Sequence, residues 1–410
     1  MKFKKNKNCR CCGSTKLKRY LDFGNMYLST AFPKIKKNSL RKIPMKLEIC
    51  HKCKLAQLAH NYELSKLYND NYGYKSGINK SMKNHLKNIT LEAINYKPLR
   101  KNDIVLDIAS NDGTLLKNYN RNLIRVGIDP VIKKYRKNYK NIRSFENFFS
   151  KEIFLKSFKK QKVKIITSIA VFYDVENPRK FVSDISNIMD PQGIWILEQS
   201  YFPHLVKNNA YDSICHEHLT YFTIKQIKMI LDKYNLEIFN ISSNTMNGGS
   251  IRFFIKFKEN KKIKIYKNNL DRFVLVENTF YDNFLKKLSK FRLEIQKSRS
   301  NLNKFIKKTA ELKKSIHIYG ASTKGNIILQ YCRITADKIK FAADRNPDKF
   351  HRYTPGSNIK IISEAKSRLM KPDYYLVMPW HFKDEIIKRE KVFSKNGGKL
   401  VFPLPKFQIL

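Results

Sequence analysis

The stretch Asp103–Leu116, DIVLDIASNDGTLL, constrains this chain more than any other. An apolar run (Ile104, Val105, Leu106) ends at Asp107, passes through small and polar residues to Gly113, and continues in a helix-like pattern. A strand, a tight turn and a helix in that order open a nucleotide-binding α/β unit. Ala109 and Gly113 let the backbone of the turn approach a ligand, and Asp107 puts an acceptor at the strand's carboxyl edge. A second apolar strand, Arg125–Asp129, ends in another acid about one βα unit later, where an acid accepts the hydroxyls of an adenosine ribose. The turn is not G-x-G-x-x-G, because Ala109 and Asn111 stand where a dinucleotide fold prefers glycine. That departure favours S-adenosylmethionine (SAM), which has no pyrophosphate to cradle, over NAD. An ordinary buried strand with a polar turn is the alternative.

The rest of the chain extends the pattern. Ser81–Tyr96 has helical periodicity and carries His85 towards this unit as a further candidate cofactor contact. Buried strands are predicted at Lys164–Phe172 and Gly193–Glu198, and paired strands at Leu236–Asn240 and Ser250–Phe257 around the turn Asn247-Gly248-Gly249. Alternating strands and helices with a terminal antiparallel pair match a SAM-dependent methyltransferase sheet. Asn61–Lys80, rich in Tyr, Asn and Gly, reads as a loop or lid carrying Tyr74. Phe273–Lys314 reads as a charged helical connector. A second α/β unit follows: strand Ile316–Tyr319, turn Gly320–Gly325, a helix from Asn326, and a strand Lys340–Ala343 ending in Asp344. Backbone N–H groups at that helix start, with Ser322, Thr323, Lys324 and Asn326, form a candidate anion site. Two such units imply two ligands.

Cys9-Arg-Cys-Cys12 and Cys50-His-Lys-Cys53 are two CxxC knuckles, and four thiolates can close a tetrahedral zinc site. Such a site leaves no open coordination position, so a structural role is expected. Clustered cysteines point to a reducing cytoplasm rather than a disulfide frame. The basic N-terminus is not followed by an apolar h-region, and no stretch approaches ~20 uninterrupted apolar residues, so neither a signal peptide nor a membrane partner is expected. The net charge of +48 invites a nucleic-acid reading. The lysines, however, are spread over the whole chain among Asn and Ile, and no nucleic-acid-binding motif is present; attraction to anionic small molecules is the expected consequence.

The densest titratable group is Asp212-Ser-Ile-Cys-His216-Glu217-His218-Leu-Thr-Tyr221. It follows the strand ending at Glu198 and so belongs above the sheet's carboxyl edge, where open α/β folds bind ligands. Methylation of carbon needs a base to remove a proton beside a carbonyl and a donor to hold the enolate. A histidine suits the first task, and a nearby phenol, Tyr74 or Tyr221, the second. The two histidines lie two residues apart, diverge on a helix and have no evident third partner, so a metal is not expected there.

The paired knuckles, SNDG, CHEHLTYF, NGGSIRFF, YGASTKGN and the ending PLP occur in an order that resembles the three-domain sugar C-methyltransferases, which act on nucleotide-linked keto-sugars in deoxysugar pathways. The resemblance covers nearly the whole chain. It implies His218 as general base with Glu217 beside it, and a C-terminal domain that helps hold the nucleotide-sugar, with Asn247, Ser322, Thr323, Lys324 and Asn326 as substrate contacts. Two positions depart from a characterised branch: Cys215 replaces a tyrosine and Asp174 a histidine. The expected architecture is α/β throughout. It comprises a four-cysteine zinc-binding domain (1–70), a class I Rossmann-like SAM methyltransferase domain (71–265), a helical connector (266–314) and a second Rossmann-like domain (315–410). O-methylation of a related glycan or metabolite is the enzymatic alternative, and a basic zinc-containing nucleic-acid-binding protein the non-enzymatic one.

Overall fold

The computed structural model describes residues 3–35, 41–68 and 72–410; the expected domain boundary between residues 70 and 71 lies outside them. Seven strands form the central sheet: Ile104–Ile108, Ile124–Ile128, Arg143–Phe145, Val163–Ile169, Met189–Ser200, Leu236–Asn244 and Ser250–Phe257. Counted in chain order they lie 3-2-1-4-5-7-6, with only Ser250–Phe257 antiparallel to its neighbours. Alternation across the strands separates the two faces. Val105, Ile165, Ile194 and Ile196 pack against Leu86, Ile89 and Ala93 of the helix Lys80–Tyr96. Leu106, Ile166, Trp195 and Leu197 pack against Phe181, Val182 and Ile185 of the helix Pro178–Ile188. The expected strand Lys164–Phe172 stops at Ile169 because Ala170 takes a left-handed φ of +55° and turns the chain off the sheet.

The first unit reverses direction between strands Ile104–Ile108 and Val163–Ile169, and there the carboxyl ends splay apart into the crevice where such sheets bind ligands. Gly127 is required next to it. A Cβ at that position would sit 2.7 Å from Ser110 Oγ and 2.8 Å from the Tyr139 ring, so only hydrogen lets the ligand-facing turn lie on the second strand.

A second, six-stranded sheet repeats the logic. Ile316–Tyr319, Phe341–Asp344, Lys360–Ser363, Tyr374–Val377, Lys399–Phe402 and Gln408–Ile409 lie in the order 3-2-1-4-5-6, parallel except for the last. The connector is two helices, Lys267–Asp282 and Phe284–Glu311, broken at Asn283. Phe284, Leu288, Phe291, Ile295, Leu302 and Ile306 form the buried stripe of the longer one.

The N-terminal sheet is antiparallel: Leu17–Met26, Ile43–Cys50 and Ala56–Leu58, completed by Thr220–Tyr221 from beyond the His216–His218 segment. This last pairing ties the zinc-binding region to the most titratable segment of the chain. No helix among the described residues is long and apolar enough to cross a membrane.

Candidate active site

The Sγ atoms of Cys9, Cys12, Cys50 and Cys53 lie within 4.8 Å of one another. Cys9–Cys53 are 3.5 Å apart and Cys12–Cys50 3.6 Å, close to the ~3.8 Å edge of a tetrahedron with Zn–S bonds of about 2.3 Å. The donor set fits one Zn²⁺, held structurally. Cys11, between the knuckles' first pair, donates its thiol instead to the Gln226 carbonyl at 3.7 Å.

At the carboxyl edge of the central sheet lies a 340 Å³ cavity. Asp107, Ala109, Asn111, Asp129 and His85 all line it. Ala109 and Asn111 hold left-handed φ values of +59° and +49°. Asp129 accepts the N–H of Asn111 at 2.9 Å and that of Val131 at 2.8 Å. Burial raises its pKa, and those two N–H groups hold it part-way down. Asp107 accepts from Thr167 Oγ1 at 2.6 Å, and burial lifts its carboxyl to about 7. Carboxylates at two strand ends, with Leu86, Phe148 and Phe149 as apolar wall, fit the polar and aromatic halves of SAM. His85 Nε2 lies 2.6 Å from Glu198, which Arg252 Nε also engages at 2.8 Å; burial works against the Glu198 anion, but these partners outweigh it and its pKa falls.

Gly113 is a correction. It does not line the cavity. At φ +74° it closes the turn with its Cβ direction 3.3 Å from the Tyr139 ring, and Tyr139 braces the turn from behind by donating to the Asn111 carbonyl at 2.9 Å.

A second cavity, of 270 Å³, adjoins the first. Tyr68, Tyr72, Tyr74 and Asp174 line both and so form the seam between them. His218, Glu217, Cys215 and Thr30 line the second. His218 Nδ1 is 2.7 Å from the Ser213 carbonyl. A carbonyl only accepts, so Nδ1 carries the proton and Nε2 keeps its lone pair. The ring lies tilted at 53° against Tyr173, 4.2 Å between centroids. Burial and then the Lys324 charge push the imidazole down to about 4, against the nearby Glu217.

Three other candidates sit differently from expectation. Glu217 accepts from Thr30 Oγ1 at 2.7 Å and Ser29 Oγ at 3.2 Å; those bonds hold it to the N-terminal region, while a carbonyl orients His218. His216 is fully buried edge-on against Tyr62, 4.9 Å between rings, and lines neither cavity. Tyr221 is buried behind His218, its hydroxyl 3.4 Å from the same Ser213 carbonyl, because the pairing of Thr220–Tyr221 with Ala56–Leu58 turns it into the core. Tyr74 is the candidate phenol that reaches both cavities. Asp174 stood out in sequence only as a departure from the related branch, and Tyr68 and Tyr72 were given no role there. Tyr68 donates to Asp174 at 2.8 Å, and burial holds the Asp174 carboxyl well above its ordinary range. Thr30, too, had no sequence signal, because it sits in an irregular segment far from the motif it serves.

Ser322, Thr323 and Lys324 also line the second cavity. Ser322 caps the helix Thr323–Tyr331, accepting from Gly325 N at 2.9 Å. The charge of Lys324 is felt by Asp212, His218 and His381. Asn326 is a further correction: it is buried and donates to the Ser29 carbonyl at 2.6 Å, outside the cavity wall. The turn bearing Asn247 packs Gly248 on Trp380 and Gly249 on His204; the Asn247 side chain lies outside the described residues.

Comparison with known proteins is consistent with this geometry. Family models match in series: a zinc binding domain at residues 9–68, a methyltransferase domain at 79–241 and a C-methyltransferase C-terminal domain at 245–405. The C-methyltransferase NovU of Streptomyces niveus is 24% identical over 373 residues, 90% of this chain and 87% of its own. A solved S-adenosylmethionine-dependent methyltransferase from Clostridium acetobutylicum aligns with 43% of this chain and 92% of its own, at 13% identity and a TM-score of 0.34. The N-methyltransferase NodS of Bradyrhizobium japonicum aligns with 44% and 98%, at 11% identity and a TM-score of 0.33. With matches to a zinc binding domain, a methyltransferase domain and a C-methyltransferase C-terminal domain in series along one polypeptide, the chain is a SAM-dependent methyltransferase similar in its domain order to the zinc-containing C-methyltransferases.

Proposed function

We propose that the enzyme methylates a carbon alpha to the ketone of a nucleotide-activated sugar, with His218 as general base. The observation that carries this reading is the His218 tautomer: Nδ1–H is spent on the Ser213 carbonyl, so Nε2 keeps its lone pair, and His218 lines the cavity adjoining the proposed cofactor cavity. Bound SAM supplies an electrophilic methyl group. His218 Nε2 takes the alpha proton, and the C–H electron pair becomes the enolate. Tyr74 donates to the enolate oxygen. The enolate carbon would take up the methyl group that SAM supplies as its C–S bond breaks, and the proton on Nε2 would return to solvent. Glu217, whose charge acts to raise the His218 pKa, stabilises the imidazolium. Ser322, Thr323 and Lys324 hold the diphosphate. Cys215 and Asp174, the two departures from the related branch, both belong to the acceptor cavity, so a different sugar is expected. Incubation with SAM and a panel of nucleotide-keto-sugars, read by mass spectrometry, tests the reading; methyl transfer to oxygen, or to none of the panel, defeats it.

Two measurements follow. Base catalysis needs neutral His218, and its pKa lies below the ordinary 6.5. The acid limb of kcat/KM therefore falls well below pH 6.5: activity persists as pH drops through that value and fades only as the depressed pKa is reached. A limb at 6.5 or above, abolished in His218 variants, contradicts the assigned environment. Asp129, as ribose acceptor, loses charged hydrogen bonds in Asp129→Ala, which should weaken SAM binding by about 1–3 kcal/mol; unchanged calorimetric affinity removes Asp129 from the site.

A further inference from the structure

At the seam between the two cavities, one carboxyl stands in surroundings made for its neutral form. Asp174 and Tyr68 line both cavities, and the Tyr68 hydroxyl lies 2.8 Å from Asp174 Oδ2. The other carboxyl oxygen, Oδ1, is buried and has no hydrogen-bond partner among the described residues. An ionised carboxylate has about four lone-pair sites to fill. Here one phenol serves the group, and a buried anion so poorly served is strongly disfavoured, whereas a neutral C=O tolerates the same place. No countercharge helps it. Around the carboxyl stand Tyr68 and Tyr72 from the loop, Tyr173 beside it in the chain, and Cys215, Glu217 and Tyr221 from the His218 segment. Burial holds the phenols and the thiol well above their ordinary ranges, so each stays neutral. Glu217 is the charge that acts on Asp174, and it opposes a second anion. A neutral carboxyl and a phenol have two O–H groups between them. The 2.8 Å bond consumes one, whichever partner donates it, and one is left over.

The fold fixes where that spare donor sits. Asp174 ends the short turn Phe172–Asp174, which follows the left-handed Ala170 at the sheet edge. The Tyr173 carbonyl accepts from Leu219 N at 2.8 Å and from Thr220 Oγ1 at 3.2 Å, and the Tyr173 ring lies against His218. One residue thus packs the base with its ring and carries the acid on its backbone. The Tyr68 ring contacts those of Tyr72 and Phe148, at 5.2 and 6.2 Å between centroids, which holds the phenol in place. From this arrangement we infer that the Tyr68–Asp174 pair gives its spare O–H to the enolate oxygen of the acceptor, as a second donor beside Tyr74. This rests on the C-methylation reading above and adds a pair of residues to it. Removing a proton beside a ketone puts a full negative charge on oxygen, and fixed donors in a site shielded from water stabilise that charge. A buried carboxylic acid suits the task because it donates strongly and brings no charge of its own. The alpha proton goes to His218 Nε2. The pair shares its own proton while the oxygen is negative and keeps it when the ketone re-forms, so the proton count of the step is unchanged.

Infrared difference spectra between the wild type and Asp174→Asn, both saturated with S-adenosylhomocysteine at neutral pH, should show a protonated-carboxyl band that belongs to the wild type. Its absence overturns the inference without any substrate. On the nucleotide-keto-sugar that the wild type methylates, Asp174→Leu should lower kcat by about 10²–10³-fold, the usual cost of one lost oxyanion donor. Asp174→Asn, whose amide accepts from Tyr68 and still offers an N–H, should stay within about tenfold of the wild type. The pH profile separates chemistry from packing. A carboxyl with a raised pKa keeps its O–H below that pKa and loses it as pH rises through it, so a basic limb of kcat that it causes should vanish in Asp174→Asn, because an amide does not titrate. Melting temperatures check the fold of both variants; should Asp174→Leu fail to fold, the infrared band and the Asp174→Asn profile still decide. Equal rates for the two variants, or a wild-type basic limb that persists in Asp174→Asn, overturn the inference and leave C-methylation standing. A wild type that methylates oxygen, or no member of the panel, defeats the reading and the inference together.

Discussion

His218→Asn should lower turnover by about 10²–10⁴-fold, the usual cost of a missing general base, while SAM affinity stays close to that of the wild type. Asparagine is the informative replacement because its amide N–H can still reach towards the Ser213 carbonyl that now holds Nδ1 at 2.7 Å. The backbone of the segment is thereby spared and the basic lone pair is lost. The proposed cofactor contacts, Asp107, Ala109, Asn111 and Asp129, line the other cavity, so calorimetry with SAM separates lost chemistry from lost fold. If the wild type exchanges the alpha proton of its substrate with deuterated water in the absence of SAM, the variant should lose that exchange too. A variant with full exchange and full turnover excludes His218 as the base. His216 is no substitute: it is fully buried against Tyr62 and reaches neither cavity, so its replacement should lower the melting temperature more than it changes the chemistry.

Removing zinc should be comparably severe, although no thiolate of Cys9, Cys12, Cys50 or Cys53 lines the acceptor cavity. A structural zinc contributes an apparent ~10–16 kcal/mol to folding, against ~5–15 kcal/mol for a whole domain. The metal-free N-terminal region is therefore expected to unfold. The consequence reaches the His218 segment through named contacts. The Cys53 carbonyl accepts from Gln226 Nε2 at 2.7 Å, and Gln226 completes the capping box with Thr223 at the start of the helix Ile224–Leu231. Leu58 donates to the Leu219 carbonyl at 2.9 Å, next to His218. Ser29 and Thr30 hold Glu217. Chelation should release about one zinc per chain, abolish turnover and reduce near-ultraviolet dichroism, with zinc restoring all three. Metal-free protein that melts at the same temperature and turns over fully would contradict this.

Much of the fold was legible in residue order because local rules determine it. The run Ile104–Leu106, the acids Asp107 and Asp129, and the apolar periodicity of Ser81–Tyr96 each report their own secondary structure and, through sheet topology, the edge where a ligand binds. The knuckles announce a metal through spacing alone. Less legible were the short strands Thr220–Tyr221 and Ala56–Leu58, too brief to show alternation. The strand Lys360–Ser363 was missed as well.

What the chain by itself determined is the identity of the chemistry-bearing groups: four thiolates, two strand-end acids, a His-Glu-His segment and two α/β units. Only the tertiary structure decided which of them act together. It sent His216 and Tyr221 into the core, gave Glu217 to the hydroxyls of Ser29 and Thr30, and left His218 at a cavity wall. It also made Asp174 and Tyr68 part of the seam between two cavities. The physical reason is that backbone periodicity is local, and each residue carries its own signature of helix or strand. Side-chain partners more than 180 residues apart, such as Thr30 and Glu217, meet only through the packing of separate layers, and no local pattern encodes that meeting.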